Sequence, residues 1–207
     1  MKDVFRVISD RRSVRDFLAK DVPEKYIHKI ISAAVLAPSG GNQKNWSLVI
    51  VRSKNTKHDL KKAVTEKIKE LSSKVSSPRA RKEFLSYAKY FTFFSDAPVV
   101  IAVVMKPYDS LTARILKRYE ANSDYMANAG VQSVAAAIEN MLLAAAALGL
   151  GSCWMTGPLI AKSELERILE ISQPDNLLAI IPLGYASKKP KPHPWPKVIE
   201  TVVKEIK

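Results

Sequence analysis

A helical pattern gives way to a strand pattern within the stretch Ala37-Pro38-Ser39-Gly40-Gly41-Asn42-Gln43-Lys44-Asn45-Trp46, which runs directly into Ser47-Leu48-Val49-Ile50-Val51. Pro38 predicts the end of the preceding helix, because proline lacks a backbone N–H and restricts the residue before it. Gly40 and Gly41 permit backbone angles closed to other residues and let a ligand approach the main chain. With the short polar side chains of Ser39 and Asn42, this loop suits a planar, polar ligand, but it is equally the composition of an ordinary helix-to-strand turn.

The elements on both sides of this loop can be predicted from apolar spacing. Asp21 with Glu24 three residues later resembles a helix start, and apolar residues from Ile27 to Val35 follow at helical spacing. The continuous apolar run Leu48–Val51 predicts a strand covered on both faces. Further strands are predicted at 97–104 and 177–183, and helices at 2–9, 56–71, 81–94, 131–148 and 161–171. This irregular alternation indicates an α+β fold, with a mixed central sheet flanked by helices.

Length and composition predict one domain over residues 1–207. Apolar residues make up 47% and charged residues 26% of the chain, as in soluble globular proteins. The most apolar segment, 131–150, is interrupted by Gln132, Glu139 and Asn140, so we expect no membrane span. The single cysteine and the absence of an N-terminal apolar segment predict a cytoplasmic protein.

The charge of the chain leaves two readings open. The formal net charge is +13, and residues 54–89 hold eleven Lys and Arg against four Asp and Glu. Such a patch either binds nucleic acid or anionic substrates, or it is the solvated face of lysine-rich helices. We favour the solvated face, because the sequence contains no zinc-finger spacing, RNP-like motif or basic heptad array.

The usual catalytic motifs are missing from the sequence. It contains neither G-x-G-x-x-G after a strand nor a P-loop, and its three histidines are far apart. Cys153 is more typical of a buried apolar residue than of a nucleophile. An enzyme with this composition would take its chemistry from a cofactor.

A short basic segment, Arg11-Arg12-Ser13-Val14-Arg15, offers one place for such a cofactor. Arginine presents a rigid fork of donors that matches phosphate, and Ser13 adds a hydroxyl. The segment could therefore hold a phosphate monoester, although a solvent-facing basic turn has the same composition.

Taken in order along the chain, these motifs resemble the FMN-dependent nitroreductase family. The resemblance consists of Arg-Arg-Ser-x-Arg, a helix, Ala-Pro-Ser-x-x-Asn before a Trp-led strand, the Gly149–Trp154 turn after an apolar helix, and a strand closing at Gly184 before a basic tail. It spans roughly residues 5–200. It departs from the family at Lys44 and Asn45, which stand where relatives commonly have glutamine and proline. If Lys44 faced the flavin, its charge would stabilise the reduced form.

The resemblance implies a cofactor, a site and an assembly. The residues that it assigns to FMN are Arg11, Arg12, Ser13 and Arg15 at the phosphate and ribityl chain, Pro38, Ser39 and Asn42 along the flavin, Met155, Thr156 and Gly157 near its reactive nitrogen, and Lys197 in the tail, with Lys191 as the second choice. No side chain is assigned as catalytic and no metal is implied. NADH or NADPH is the implied electron donor, with ping-pong hydride transfer through the flavin to a nitroaromatic, quinone or similar small acceptor.

The implied partner is a second copy of the chain in an intertwined homodimer. Residues 188–207 are expected to reach the partner subunit. A lid-like segment at about 106–125 is expected to cover the flavin, with Tyr108 and Tyr119 contacting substrate and Tyr125 nearby. The alternatives are a basic nucleic-acid-binding protein, for which we see no motif, and a flavin-binding protein of the same fold with other chemistry or none.

Overall fold

The computed structural model describes residues 3–119, 128–188, 190–191 and 202–206. The helices are α1 (Val4–Asp10), α2 (Glu24–Val35), α3 (Lys54–Lys74), α4 (Pro78–Ala88), α5 (Leu111–Arg118), α6 (Ala129–Ala147) and α7 (Lys162–Ile168). The strands are β1 (Trp46–Val51), β2 (Val99–Met105), β3 (Gly151–Ser152) and β4 (Asn176–Gly184). Short 3-10 turns lie at Gly40–Asn42, Lys89–Phe91, Phe93–Asp96 and Gly157–Ala161. The α+β class predicted from the sequence is confirmed.

The four strands form one sheet in the order β1-β2-β4-β3, and each neighbouring pair is antiparallel. The sequence predicts a sheet with both parallel and antiparallel pairs. Among the described residues, parallel pairing occurs only in the isolated bridge between Ser13 and Ser152, outside the named strands. β2 lies between β1 and β4 and has six buried residues, as its β-branched run predicts. The prediction that β1 is covered on both faces is confirmed, since Leu48 and Ile50 pack against one core and Val49 and Val51 against the other. The cover is incomplete, because the four middle residues of β1 are half-buried.

Each face of the sheet carries its own core. On one face, α2 and α6 pack together over alternate strand residues such as Ile101, Val103 and Ile181. On the other face, α3, α7 and the 3-10 turns pack over Val100, Ala102 and Ile180. This division follows the alternation of side chains along a strand, which places neighbours on opposite faces.

Helix α6 connects the two ends of the molecule. Gly149 ends it with φ +75°, and the Leu150 amide donates to the Ala145 carbonyl at 2.9 Å, which closes the helix end in the Schellman arrangement. In the described part of the chain, α6 is the one helix long and apolar enough to cross a bilayer, by length and composition alone. Eight of its residues are buried in the core, which accounts for the same composition.

Three local predictions need correction. Pro23, not Asp21, occupies the position before α2, and no side chain caps that helix. The helix predicted at 81–94 is α4, Pro78–Ala88. It begins earlier because Ser77 caps it, and it ends earlier because 3-10 turns follow Ala88. The segment after β2, which lacks a clear pattern over 106–122, contains α5, capped by Ser110.

The lysine-rich face of α3 is mostly solvated, as predicted, with one exception. Lys57 is buried, and its Nζ donates to the carbonyl oxygens of Ala97 at 2.6 Å and Pro98 at 3.3 Å. Burial, followed by the charge of Lys54, lowers the pKa of Lys57, against smaller opposing effects of Asp96 and Asp21. Lys57 therefore fastens the start of α3 to the start of β2.

Candidate functional site

The arginine segment lies along the short strand β3. The Val14 amide donates to the Ser152 carbonyl at 3.0 Å, and Val14 itself is buried. A Cβ built on Gly151 would lie 2.6 Å from the Val14 side chain, so the two backbones approach closely only because residue 151 is glycine. The sequence predicts both segments separately, and the structure brings them together.

Arg15 and the predicted Met155–Gly157 turn line the same cavity. This cavity, of about 140 Å³, is bounded by Arg15, Cys153, Trp154, the turn itself and aromatic side chains from residues 87–93. The turn is fixed by two hydrogen bonds of 3.0 Å between the backbones of Met155 and Ile180. Met155 is buried and Thr156 is exposed. A fixed backbone beside a guanidinium can position an anionic, planar ligand.

The other two arginines of the segment have partners within the chain. The Nε atom of Arg11 lies 3.8 Å from a carboxylate oxygen of Glu139 on α6. Arg12 donates from Nε to the Lys191 carbonyl at 2.9 Å and from Nη1 to the Arg11 carbonyl. Its Nη2 atom is buried with no hydrogen-bond partner among the described residues. A buried donor without a partner is costly, so this atom identifies a place where an anion would be stabilised.

Cys153 borders this cavity but is not set up as a nucleophile. Its burial raises the pKa of the thiol above the usual 9.0, against weaker opposing effects from the Ser13 hydroxyl and the charges of Arg15 and Arg11. A raised pKa keeps the thiol protonated at neutral pH, which agrees with the reading of Cys153 as a buried apolar residue.

The loop after α2 adopts the positive φ angles that its glycines predict, but Gly40 lies against another side chain of the same chain. Positive φ values occur at Gly41 (56°), Asn42 (54°) and Lys44 (47°). The Ser39 hydroxyl accepts from the Lys44 amide at 3.0 Å and so holds the loop closed. A Cβ on Gly40 would lie 2.5 Å from the Tyr108 hydroxyl oxygen. The close approach that Gly40 permits is therefore filled by Tyr108 of the same chain.

The loop and the segment after β2 form one unit. The Gln43 side-chain amide donates to the Asp109 carbonyl at 2.6 Å and accepts from the Asp109 amide at 3.2 Å. Asn45 is buried, and its Nδ2 donates to the carbonyls of Gly130 at 3.2 Å and Lys106 at 3.4 Å. Asn45 thus ties the loop to both β2 and the start of α6. The sequence points to this residue only as a departure from the family pattern.

The two predicted substrate tyrosines differ in setting. Tyr108 is half-buried between Gly40 and Gly130, where it supports the loop. Tyr119 is 75% exposed at the end of α5. The structure places neither of them among the residues that line the Arg15 cavity.

The predicted site residues therefore fall into two groups. The Arg15 group comprises Arg11–Arg15 and Met155–Gly157, next to β3, with Arg11 paired to Glu139 midway along α6. The loop group comprises 38–45 and 106–119, at the N-terminal end of α6, where the Gly40 amide donates to Ser133 Oγ at 3.0 Å. Pro38, Ser39 and Asn42 are not among the residues that line the Arg15 cavity.

The sequence analysis missed the aromatic wall of the Arg15 cavity. Tyr87, Tyr90, Phe91 and Phe93 line it, and a Cβ on Gly157 would lie 2.4 Å from the Phe91 ring. The signal was present as five aromatic residues within the eight positions 87–94. Two other predictions, Lys197 and Tyr125, lie outside the described residues. Within the described ranges, no cluster of three or more His, Cys, Asp and Glu side chains is placed to hold a metal ion.

The fold and site define an α+β protein with an arginine-rich segment beside a glycine turn. The profile of the Nitroreductase family matches residues 8–185, and the chain belongs to that family. A Methanothermobacter thermautotrophicus protein, provisionally named NADH dehydrogenase/NAD(P)H nitroreductase, is 29% identical over 91% of this chain and 80% of its own length.

Two solved structures are similar over nearly the whole chain. A BluB-like flavoprotein from Clostridium difficile 630 is 32% identical with a TM-score of 0.89, and each chain is covered completely. An iodotyrosine deiodinase bound to FMN and 3-iodo-L-tyrosine has a TM-score of 0.71 at 24% identity, over 98% of this chain and all of that one. The similarity to the iodotyrosine deiodinase shows a shared fold and nothing more.

Proposed function

We propose that the protein is an FMN-dependent NAD(P)H oxidoreductase that reduces a nitroaromatic, quinone or similar small acceptor. The observation that carries this proposal is the shared cavity of Arg15 and the Met155–Gly157 turn. Membership in the Nitroreductase family and the FMN held by the iodotyrosine deiodinase of the same fold support it.

The residues present fit a phosphate-bearing flavin. Arg12 has a buried Nη2 without a partner, and Arg15 makes only a 3.5 Å contact with the Ser13 carbonyl among the described residues. These two side chains would hold the phosphate, with Arg11 and Ser13 beside them. The backbone of Thr156 and Gly157 would lie along the ring. When bound, FMN supplies two-electron redox chemistry, which lets one site take a hydride from NAD(P)H and then reduce a second molecule.

The chain itself would contribute orientation and electrostatics rather than a side-chain acid or base. The raised pKa of Cys153 argues against a thiolate nucleophile at the cavity. The rigid Met155–Ile180 bridges would keep the turn fixed while donor and acceptor exchange. The provisional name of the Methanothermobacter relative supports NADH or NADPH as the donor.

We further propose a homodimer in which the loop group of one chain completes the Arg15 group of the other. The loop group does not line the Arg15 cavity of its own chain, and a two-fold axis would bring the loop of one copy to the cavity of the next. Exposed apolar side chains support such an interface: Val4, Phe5 and Ile8 on α1 are 58%, 60% and 44% exposed, and Val131 on α6 is 46% exposed.

The C-terminal tail would add to this interface. Among the described residues β1 pairs only with β2, so its outer edge is open, and a groove of about 230 Å³ runs beside Val49–Ser53. Val202, Val203 and Ile206 are 84%, 58% and 84% exposed. An open strand edge and an apolar extended segment are complementary, so we place the tail of one chain on the partner. The working enzyme would be cytoplasmic.

An anaerobic titration tests the proposed function. The purified protein should be yellow, and adding NADH or NADPH without oxygen should bleach the flavin absorbance in proportion to bound FMN. A colourless protein that does not take up FMN, or a yellow one that neither nucleotide bleaches, would contradict the proposal. Retained nucleic acid with no flavin would favour the alternative class instead.

A further inference from the structure

A basic, aromatic groove adjoins the Arg15 cavity. It has a volume of about 520 Å³ and lies on α4 and the following 3-10 turn, lined by Arg79, Lys82, Glu83, Tyr87, Lys89 and Tyr90, with Ser86 between them. This volume is within the range of small-molecule sites. Tyr87 and Tyr90 line both the groove and the Arg15 cavity, so the two spaces share a wall.

The charges in this groove favour an anion. The carboxylate of Glu83 lies 3.4 Å from the Arg79 guanidinium, which leaves that pair neutral overall. Lys82 and Lys89 are exposed, and neither forms an ion pair within the described part of the chain. The Lys89 ammonium lies 5.1 Å from the centre of the Tyr90 ring, which holds it beside the groove. Two lysines without a carboxylate partner among the described residues therefore line one small space.

The aromatic side chains of the groove favour a planar ligand. Tyr87 is 66% exposed, and its ring lies edge-on to Tyr90 at 6.3 Å and to Phe91 at 5.5 Å. Exposed aromatic surfaces in a groove gain by stacking on another ring. Phe91 in turn lies against Gly157, so this aromatic chain leads from the groove to the turn where the flavin is proposed to bind.

We propose that this groove, defined by α4 and residues 89–91, recognises an aromatic carboxylate, and that the acceptor reduced by the enzyme belongs to this class. The ring stacks on Tyr87, the more exposed of the two tyrosines, while the carboxylate contacts Lys82 and Lys89. The statement that this ligand is the electron acceptor rests on the proposed function. With this groove, the 79–93 segment joins the 106–125 segment as a determinant of acceptor choice.

The test compares two nitro compounds that differ in charge, 4-nitrobenzoate and 4-nitrobenzyl alcohol, as acceptors for the flavin-loaded protein. Lys82→Ala combined with Lys89→Ala should lower the kcat/KM ratio of anion to alcohol by about 2- to 30-fold, mainly through KM, since exposed ion pairs are individually weak. The matched control is Lys62→Ala combined with Lys69→Ala on α3, which removes the same charge away from the groove and should leave the ratio unchanged. Raising the salt concentration should lower the wild-type ratio towards that of the groove variant.

Three results would overturn the proposal. One is an equal ratio in wild type and groove variant, and another is an equal loss in both double variants. The third is a rise in KM for NAD(P)H alone, which would assign the lysines to the donor. If the protein does not reduce either nitro compound, calorimetric titration of wild type and groove variant with 4-nitrobenzoate still tests the binding site. Binding that the groove variant loses supports the site, and binding that is absent or unchanged rejects it.

Discussion

The hydrogen bond from the Val14 amide to the Ser152 carbonyl, at 3.0 Å, joins two segments that are 138 residues apart in the chain. It places the arginine segment beside the turn that follows β3. The consequences of this juxtaposition can be measured at Arg15, because that side chain extends from the joined backbone into the cavity.

Replacing Arg15 with alanine should weaken FMN binding by about 10- to 150-fold, because a hydrogen bond to a charged group contributes roughly 1.5–3 kcal/mol. Fluorescence titration of the apoprotein with FMN measures this. Arg167→Ala is the control, since Arg167 is an exposed surface arginine paired with Glu164. Unchanged affinity in Arg15→Ala would remove Arg15 from the phosphate site. Arg11→Ala should give a smaller loss, because Glu139 already neutralises part of its charge.

The two tyrosines of the 106–119 segment should respond differently to substitution. Tyr108→Ala empties the slot between Gly40 and Gly130 and should lower flavin content by loosening the loop. Tyr108→Phe keeps the ring and should behave like wild type. Tyr119→Ala should keep its flavin, since Tyr119 is 75% exposed, and should change only the ratio of rates between two acceptors. Equal flavin content in Tyr108→Ala and wild type would contradict the supporting role.

Deleting residues 188–207 should cost both dimerisation and FMN, because the tail is proposed to cross to the partner. The deletion also removes the Lys191 carbonyl that accepts from Arg12. Sedimentation at micromolar concentration, followed at 450 nm, reports both mass and flavin. The shared-site proposal fails if the full-length protein sediments as a flavin-loaded monomer, whose mass would be about 23 kDa.

Lys57 should make stability depend on pH in the alkaline range. Its folded-state pKa is lowered below the ordinary 10.5 of the unfolded chain, chiefly by burial. Between these two values the unfolded chain binds more protons, so the free energy of unfolding should rise with pH across that window. Urea unfolding between pH 7 and 10 measures the slope, which Lys57→Met should reduce. Lys62→Met, on the exposed face of α3, should keep the wild-type slope, and an identical slope in all three proteins would refute the effect.

Cys153 should be unreactive and dispensable. With its pKa raised by burial, alkylation by iodoacetamide at pH 7.5 should be about tenfold or more slower in the folded protein than after unfolding. Cys153→Ala should keep the rate of flavin reduction by NAD(P)H. Rapid alkylation of the folded protein, accompanied by loss of that rate, would reassign Cys153 to the chemistry.

Local sequence signals are sufficient to predict several elements of this protein. Pro38 ends α2, Gly149 ends α6, and the β-branched run at 99–104 forms the central strand, because each depends on backbone restriction or on side-chain periodicity within a few residues. The arginine segment and the glycine turn were also recognisable, since residue type alone indicates their chemistry.

Which of these elements contact one another depends on long-range packing. Arg15 reaches the Met155–Gly157 turn through the β3 backbone, while the loop at 38–45 lies at the N-terminal end of α6 with Tyr108. The aromatic residues at 87–93 line the Arg15 cavity, and Lys57 is buried rather than on the solvated face of its helix. Such contacts join residues far apart in the chain, and they are set by strand order and by packing across the sheet, neither of which a local pattern specifies.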